Sequence, residues 1–457
     1  MVKQVSRLDK QLEIQSAAVE VRKPKSNRKL FFKRNQWLPQ NRWLLKGFGL
    51  TLCVSLGATV ALLTPIWNGR DRANESGQKL SLDAKPQDSI WTNSFQYQLS
   101  RSLNILVMGF SVSSATGNLG AVNGPSDTIL LLRLNPIDNS VKILSIPQSS
   151  QVIIPGIGLN KISLANVRGG SALAARTVSR TLNNVTIDGY VRINSDGLRE
   201  LVELLGGVEV FVPQTMAAQN NSQLPDIALD PGWQTLSGNQ AEKFAQFVAP
   251  TTGDLGRIQR QQILMQALGD RLTSPTVLPR LPEISRVMFK YIDTNFTIEQ
   301  LVALANFGVN IEPQNFQMLL LPGTTSRFSK DPNSYWLDAA DINRVMSEYF
   351  GVKAIGVTKK NIPLNALKIT VQNASNQSNL SQYVAHYLKQ HGFNNVYIGS
   401  DWFDRQRRTQ VIVQKGDLAG ATAIQKILGL GSINVAATGD LKSDITIRVG
   451  QDWEAAK

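Results

Sequence analysis

In TTGDLGRIQRQQ, residues 251–262, two arginines three positions apart follow a Thr-Thr-Gly-Asp run. On a helix, three steps of about 100° leave Arg257 and Arg260 within roughly 60° of each other, so both face the same way. Asp254 is suited to N-cap that helix, which puts Arg257 in or near the first turn. Unpaired N–H groups and the positive end of the dipole favour anions there. Guanidinium groups add planar, bidentate donors that suit phosphate. Gln261, one turn beyond Arg257, adds a neutral donor. The expected chemistry is a phosphate clamp. The alternative is an exposed helix whose arginines pair with Asp254 or with water.

Two more residues have types that could join such a site. Asp127, in GPSDT just before an apolar run, could hold a divalent ion or take a proton, or could simply cap a turn. Lys161, in LNKIS, is a phosphate counter-ion or a surface lysine. The remaining patterns are blander. His386 and His391 are five apart on an expected helix and do not share a ligand face. Arg405, Arg407 and Arg408 read as a solvated turn. No G-x-S-x-G, Walker-type or zinc-type spacing occurs.

Elements that could position these residues follow from periodicity. Leu103–Gly109 (LNILVMG) reads as a buried strand. Thr128–Leu134 and Val141–Ile146, joined by the turn NPIDN, read as a hairpin. Gly169 and Gly170 precede a helical pattern carrying Leu173, Val178 and Leu182. Tyr190–Ile193 is a strand. Ser195–Leu205 is an amphipathic helix with Ser195 as its N-cap, ended by Gly206-Gly207, and Val208–Val212 follows as a strand. A long helix is expected from about Leu255 to Leu272. A second module begins near Ala366, with strands at Leu367–Gln372, Val396–Ile398, Thr409–Gln414 and Ile445–Val449, and helices at Leu380–His391 and Ala419–Leu428. Alternating strands and helices predict an α/β sandwich with a mixed central sheet flanked by helices, plus a small C-terminal α/β domain.

The 457-residue chain has a formal charge of +14, unevenly spread. Residues 1–46 carry twelve Lys/Arg against three acids, leaving +5 for the other 411 residues. The excess therefore lies in one tail. The rest lacks the basic face interleaved with aromatics that nucleic-acid binding needs, so no nucleic-acid partner is expected. Gly47–Trp67 is 21 residues without a charge, flanked by Trp43 and Trp67. About 20 apolar residues cross a bilayer as a helix, and the basic side stays inside. The expected organisation is a cytoplasmic tail (1–46), a transmembrane helix (47–67), a polar stalk (68–100), a main domain (101–350), a linker (351–365) and a C-terminal domain (366–457), with everything after the span outside the cytoplasm. A cleaved signal peptide is the alternative, disfavoured by the length of the basic region and the lack of a small-x-small site. The single cysteine, Cys53, falls in the span, which excludes disulfides and thiolate chemistry outside.

The order of motifs resembles the LytR–CpsA–Psr family of bacterial cell-wall glycopolymer ligases. It runs from SDT through SIP, IPG and NKI, then Arg-Gly-Gly, YVRIN, LVELLGGVEVFVP, PGWQTLSGNQAEKF and GDLGRIQRQQ. The likeness covers about residues 100–350, and 366–453 resembles the LytR C-terminal domain. The resemblance implies transfer of a glycopolymer from a polyprenyl-pyrophosphate carrier to a sugar hydroxyl of peptidoglycan or another envelope acceptor, beside a lipid bilayer. It implies an apolar pocket between sheet and helices, with the pyrophosphate at its mouth near Mg²⁺. Arg257 and Gln261 match phosphate-holding positions, and Asp127 matches an Asp linked to metal or hydroxyl activation.

Departures from the family pattern cluster around this site. Pro125 stands for Arg, Gln148-Ser149 for Arg-Asp, and Gln246-Phe247-Val248 for Arg-x-Arg, while Gly109 is followed by Phe110-Ser111 rather than Asp. Each charge-assisted phosphate bond contributes about 1.5–3 kcal/mol, so these losses predict weakened or altered catalysis. The alternatives are a non-catalytic binder of lipid-linked glycan and a transcriptional regulator. The latter conflicts with folded domains outside the cytoplasm.

Overall fold

The computed structural model describes residues 99–111, 123–216, 228–249, 252–325, 334–354 and 363–455. The expected basic tail and span, and the stalk up to residue 98, lie outside the described residues. Among the described residues no helix is long and apolar enough to cross a membrane.

Apolar side chains on both faces of three successive strands force them into the middle of a covered sheet. These are β1 (Leu103–Phe110), β2 (Thr128–Asn135) and β3 (Ser140–Ser145), all antiparallel, with Gly109 opposite Thr128 and Leu130 opposite Ser145. The hairpin expected over 128–146 is therefore present. A small hairpin, β4 (Gln151–Ile154) and β5 (Gly158–Lys161), leads into helix α1 (Leu164–Thr181). Next come β6 (Gly189–Asn194), α2 (Ser195–Leu204), a second hairpin of β7 (Val208–Val212) and β8 (Gly232–Leu236), then α3 (Gly238–Gln246) and α4 (Gly253–Leu272). The main domain ends with α5 (Leu281–Met288), β9 (Ile292–Thr294), α6 (Ile298–Val309), β10 (Phe316–Leu320), β11 (Gly323–Thr325), β12 (Tyr335–Leu337) and α7 (Ala339–Phe350). The central sheet has the order β10-β3-β2-β1-β6-β9. It is mixed, because β10 and β6 run parallel to their neighbours β3 and β1.

One local expectation needs correcting. Ser195 is the first helical residue of α2, and Asn194 is the cap, its side chain accepting from Gly197 N at 2.9 Å. Gly169 and Gly170 do precede the helical run that ends at Thr181, and a further short helical stretch from Leu164 lies ahead of them. They form a kink inside α1, with Gly170 at φ 61°, a left-handed conformation that glycine adopts without penalty.

The sheet's two faces are covered unequally. Under α1 and α7, Leu106, Met108, Leu131, Leu144, Val178 and Val345 are fully buried. On the opposite face, Ile105, Leu130 and Ile143 are buried, but Val107, Leu132, Val191, Met265, Leu304 and Phe307 stay partly exposed between the sheet, α4 and α6.

The C-terminal module is a separate five-stranded sheet. Its strands are β13 (Lys368–Asn373), β14 (Asn395–Ile398), β15 (Gln410–Val413), β16 (Ser432–Asn434) and β17 (Ile445–Val449), in the order β14-β13-β17-β15-β16. Helices α8 (Leu380–Gln390) and α9 (Leu418–Leu428) close its own core around Leu367, Val371, Val384, Ile424 and Ile447. His386 and His391 lie exposed on and just after α8, and His391 packs on Tyr387, a structural arrangement as the spacing implied.

The unequal cover gives a stability contrast. Leu144→Ala should cost about 2–5 kcal/mol, as for other fully buried leucines. Leu132→Ala, on the half-covered face, should cost clearly less in the same urea unfolding series, and equal losses would contradict the asymmetry.

Candidate anion-binding site

One end of the central sheet brings the sequence-predicted residues together. Because β1 and β2 are antiparallel, the last residues of β1 lie beside the first of β2, and the loop after β3 returns to the same end. Asp127 N donates to Gly109 O at 3.1 Å. A Cβ on Gly109 would come within 2.9 Å of Thr128 Cβ, so only glycine permits this approach. The Asp127 carboxylate is held from both sides. Oδ1 accepts from Thr128 Oγ1 at 3.1 Å, and Oδ2 accepts a short bond from Ser111 Oγ.

Helix α4 aims its first two turns at this strand end. It begins at Gly253, two residues earlier than expected, with Gly253 at φ 56°. Thr252, not Asp254, occupies the cap position, and its side chain makes no capping bond. Asp254 sits inside the first turn, where its carboxylate pairs with Arg257 and accepts from Ser149 Oγ at 3.0 Å. A carboxylate in that turn also complements the helix dipole.

Both arginines are buried, Arg257 at 6% and Arg260 at 7% exposure, so the exposed-helix alternative does not hold. The pairing of Arg257 with Asp254 that belonged to it does occur. Arg257 Nη2 also donates to Asp127 O at 3.0 Å. The Gln148 amide oxygen, turned toward the guanidinium, accepts from Nη2 at 3.0 Å and from Nη1 at 3.3 Å. Arg260 donates to Phe247 O and lies 5.2 Å from the centroid of the Phe247 ring. Burial, and secondarily the positive charge of Arg257, lower its pKa to about 10, so it stays cationic at neutral pH. The Nε atoms of both arginines are buried without a hydrogen-bond partner. Gln261 Nε2 donates to Thr128 Oγ1 at 3.0 Å, which joins it to the Asp127 group.

Lys161 ends β5, opposite Gln151. The residues after it tie its backbone to the loop that carries Gln148: Ile162 N donates to Ser150 O at 2.9 Å and Ser163 N to Gln148 O at 3.4 Å. The structure thus joins Asp127, Arg257 and Gln261 directly and sets Arg260 beside them. The backbone of the residues after Lys161 links it to the group. Sequence reasoning missed the parts played by Ser111, Thr128, Gln148 and Ser149. Three of these four were recorded only as departures from a pattern, and no spacing rule links them to α4.

Among the described residues, no group of three His, Cys, Asp or Glu could hold a metal. The donors present at Asp127 are one carboxylate and two hydroxyls, all hard oxygens. Two buried guanidinium groups near a helix start, each with an unpaired Nε, concentrate positive charge that lacks a full set of acceptors.

With the geometry in hand, comparison with known proteins is decisive: residues 64–350 match the LytR_cpsA_psr family. The chain belongs to this family. Residues 366–453 match the family described as LytR cell envelope-related transcriptional attenuator. Among curated proteins, the chain is 29% identical to the polyisoprenyl-teichoic acid–peptidoglycan teichoic acid transferase TagU of Oceanobacillus iheyensis, over 60% of this chain and 82% of that protein. It is 30% identical to TagU of Enterococcus faecalis, over 54% of this chain and 78% of that one. It is 26% identical to TagV of Bacillus subtilis and covers 54% of this chain but only 63% of that protein. Among solved structures, protein gbs0355 of Streptococcus agalactiae superposes with a TM-score of 0.50 at 21% identity, covering 59% of this chain and 93% of that one, a likeness of fold.

The unpaired donors predict a trade between stability and binding. Removing one of two like charges that burial already penalises should leave the ligand-free protein as stable or more stable. Arg260→Met is therefore expected to keep or raise the melting temperature without ligand, and to reduce the rise caused by added pyrophosphate. A lowered melting temperature with an unchanged pyrophosphate shift would contradict this.

Proposed function

We propose that this family member is a membrane-anchored envelope transferase, with its folded domains outside the cytoplasm, acting on a glycan carried by a polyprenyl pyrophosphate. The observation that carries the reading is the buried Arg257–Arg260 pair, with free Nε donors, next to the Asp127 carboxylate. The relatives' names support the substrate class: those proteins are transferases of polyisoprenyl-linked teichoic acid to peptidoglycan. The half-covered apolar sheet face, lined by Leu132, Met265, Leu304 and Phe307, suits a polyprenyl chain whose head reaches the arginines.

Asp127, Ser111 and Thr128 fit Mg²⁺, which takes hard oxygen ligands and usually one or two carboxylates, with substrate phosphates completing the shell. When bound, the ion would neutralise charge on the pyrophosphate. The chain's own residues do the rest. Arg257, Arg260 and Lys161 hold phosphate oxygens and stabilise the charge that builds up as the bond to the carrier lengthens. Gln261 orients Thr128 and, through it, Asp127. Asp127 accepts the proton of the acceptor hydroxyl. That oxygen forms a bond to the glycan-linked phosphorus, the bond to the carrier phosphate breaks, and polyprenyl monophosphate leaves. Water then takes the proton from Asp127.

A second reading, a holder of carrier-linked glycan without turnover, is favoured by one observation. Neutral Gln148 and Ser149 occupy positions that are charged in the family pattern, and they engage Arg257 and Asp254. The two readings separate in an assay of the full chain with a lipid-linked oligosaccharide and peptidoglycan. Turnover should be measurable and lost in Asp127→Ala, and Gln148→Arg should raise it. Binding without turnover in both wild type and Gln148→Arg would leave the holder. Under either reading Arg257→Ala should weaken pyrophosphate binding by about tenfold to a hundredfold, the worth of one charged hydrogen-bonding group. An unchanged affinity would remove the clamp.

A further inference from the structure

The face of α4 turned away from the site is bonded to the C-terminal module. Gln262, fully buried at 0% exposure, is the centre of this contact. Its Nε2 donates to Ser145 Oγ at 3.0 Å, at the end of β3, while its Oε1 accepts from Ala437 N at 2.9 Å, in the C-terminal module. Three residues earlier, Gln259 Nε2 donates to Gly439 O at 2.7 Å. Leu255 and Ile258 of the same helix pack with Leu320, Ala437 and Leu441. The C-terminal segment also covers the edge of the central sheet. Met318 N donates to Val435 O at 3.0 Å, and Leu320 N to Gln414 O at 3.3 Å. Edge N–H groups that would otherwise face water are thus satisfied by the second module. Arg344 of α7 closes the junction, donating to Gly416 O at 2.6 Å and to Lys415 O at 3.0 Å.

The two faces of α4 therefore serve two partners. Arg257 and Gln261 face the strand end that carries Asp127 and Thr128, while Ile258, Gln259 and Gln262 face residues 435–441. Shifting or rotating the helix on one side must move it on the other, because packed helices move as rigid units.

We propose that the C-terminal module is the back support of the anion site, and that Gln262 and Gln259 are positioning residues that hold Arg257 and Gln261 in register with Asp127 through α4. This rests on the reading of Arg257 as a phosphate ligand. It assigns the appended module a part in the transferase site itself rather than a separate task. A buried amide bonded to both modules is suited to this, because it fixes a register that apolar packing alone would leave free to slide.

The test uses the full chain in detergent, with inorganic pyrophosphate and geranylgeranyl pyrophosphate as probes. Gln262→Met keeps the side-chain volume and removes its bonds to Ser145, Leu319 and Ala437. Gln259→Ala removes one bond at a half-buried position and spares the fold. Gln262→Met should bind either probe about tenfold more weakly, and Gln259→Ala about threefold, at a temperature where circular dichroism shows every variant folded. The decisive readout is a double-mutant cycle. If the glutamine acts through Arg257, adding Gln262→Met to Arg257→Ala should change affinity by less than about twofold. A purely structural glutamine would weaken both backgrounds equally, and that additivity overturns the proposal. So does wild-type affinity in both glutamine variants. If the wild-type chain binds neither probe, the phosphate reading falls as well, and the two failures are told apart by that first measurement.

Discussion

Two guanidinium groups of like charge buried three residues apart in one helix are the constraint around which this site is built. Taking charge out of water is costly, and placing a second positive charge alongside adds to the cost. The protein offsets it in part. Arg257 is met by a carboxylate, a backbone carbonyl and an amide oxygen, whereas Arg260 is met by one carbonyl and the face of Phe247. The lowered pKa of Arg260 records what is left uncompensated.

The neutral replacements near the site take on a different meaning in this light. From the sequence, Gln148 and Ser149 read as lost charges. In the folded chain, Gln148 accepts from Arg257 and Ser149 donates to Asp254, so both enter the same network as the residues that remain charged. Ser111 likewise bonds to the Asp127 carboxylate. Arg257 is thereby tied into the network, while the Nε atoms of both arginines keep no partner.

What could be read from the sequence was local. Apolar runs joined by NPIDN gave the β2–β3 hairpin, and helical spacing gave α4 and the shared face of Arg257 and Gln261. Capping was misread by one residue at α2 and by two at α4, because Asn194 and Ser195, like Thr252 and Asp254, are all residue types that can cap a helix. The break at Gly169-Gly170 was legible, because glycine marks it by residue type. The site's internal bonds could not be read at all. Ser149 meets Asp254 across 105 residues, and Arg257 meets Asp127 across 130. The contact of Gln262 with Ala437 spans 175 residues and joins two modules that look independent in sequence. Such pairings are set by sheet order and by the docking of one core on another, and single-sequence periodicity carries neither.

The central claim, that an apolar face outside the cell presents a pyrophosphate head to this arginine pair, is tested most directly by the lipid the protein carries. The chain would be purified from its native membrane in mild detergent, extracted with solvent and analysed by mass spectrometry. The account predicts a polyprenyl phosphate or pyrophosphate in near-stoichiometric amount, depleted in an Arg257→Ala preparation. Bilayer phospholipids alone, in equal amount from both preparations, would contradict it.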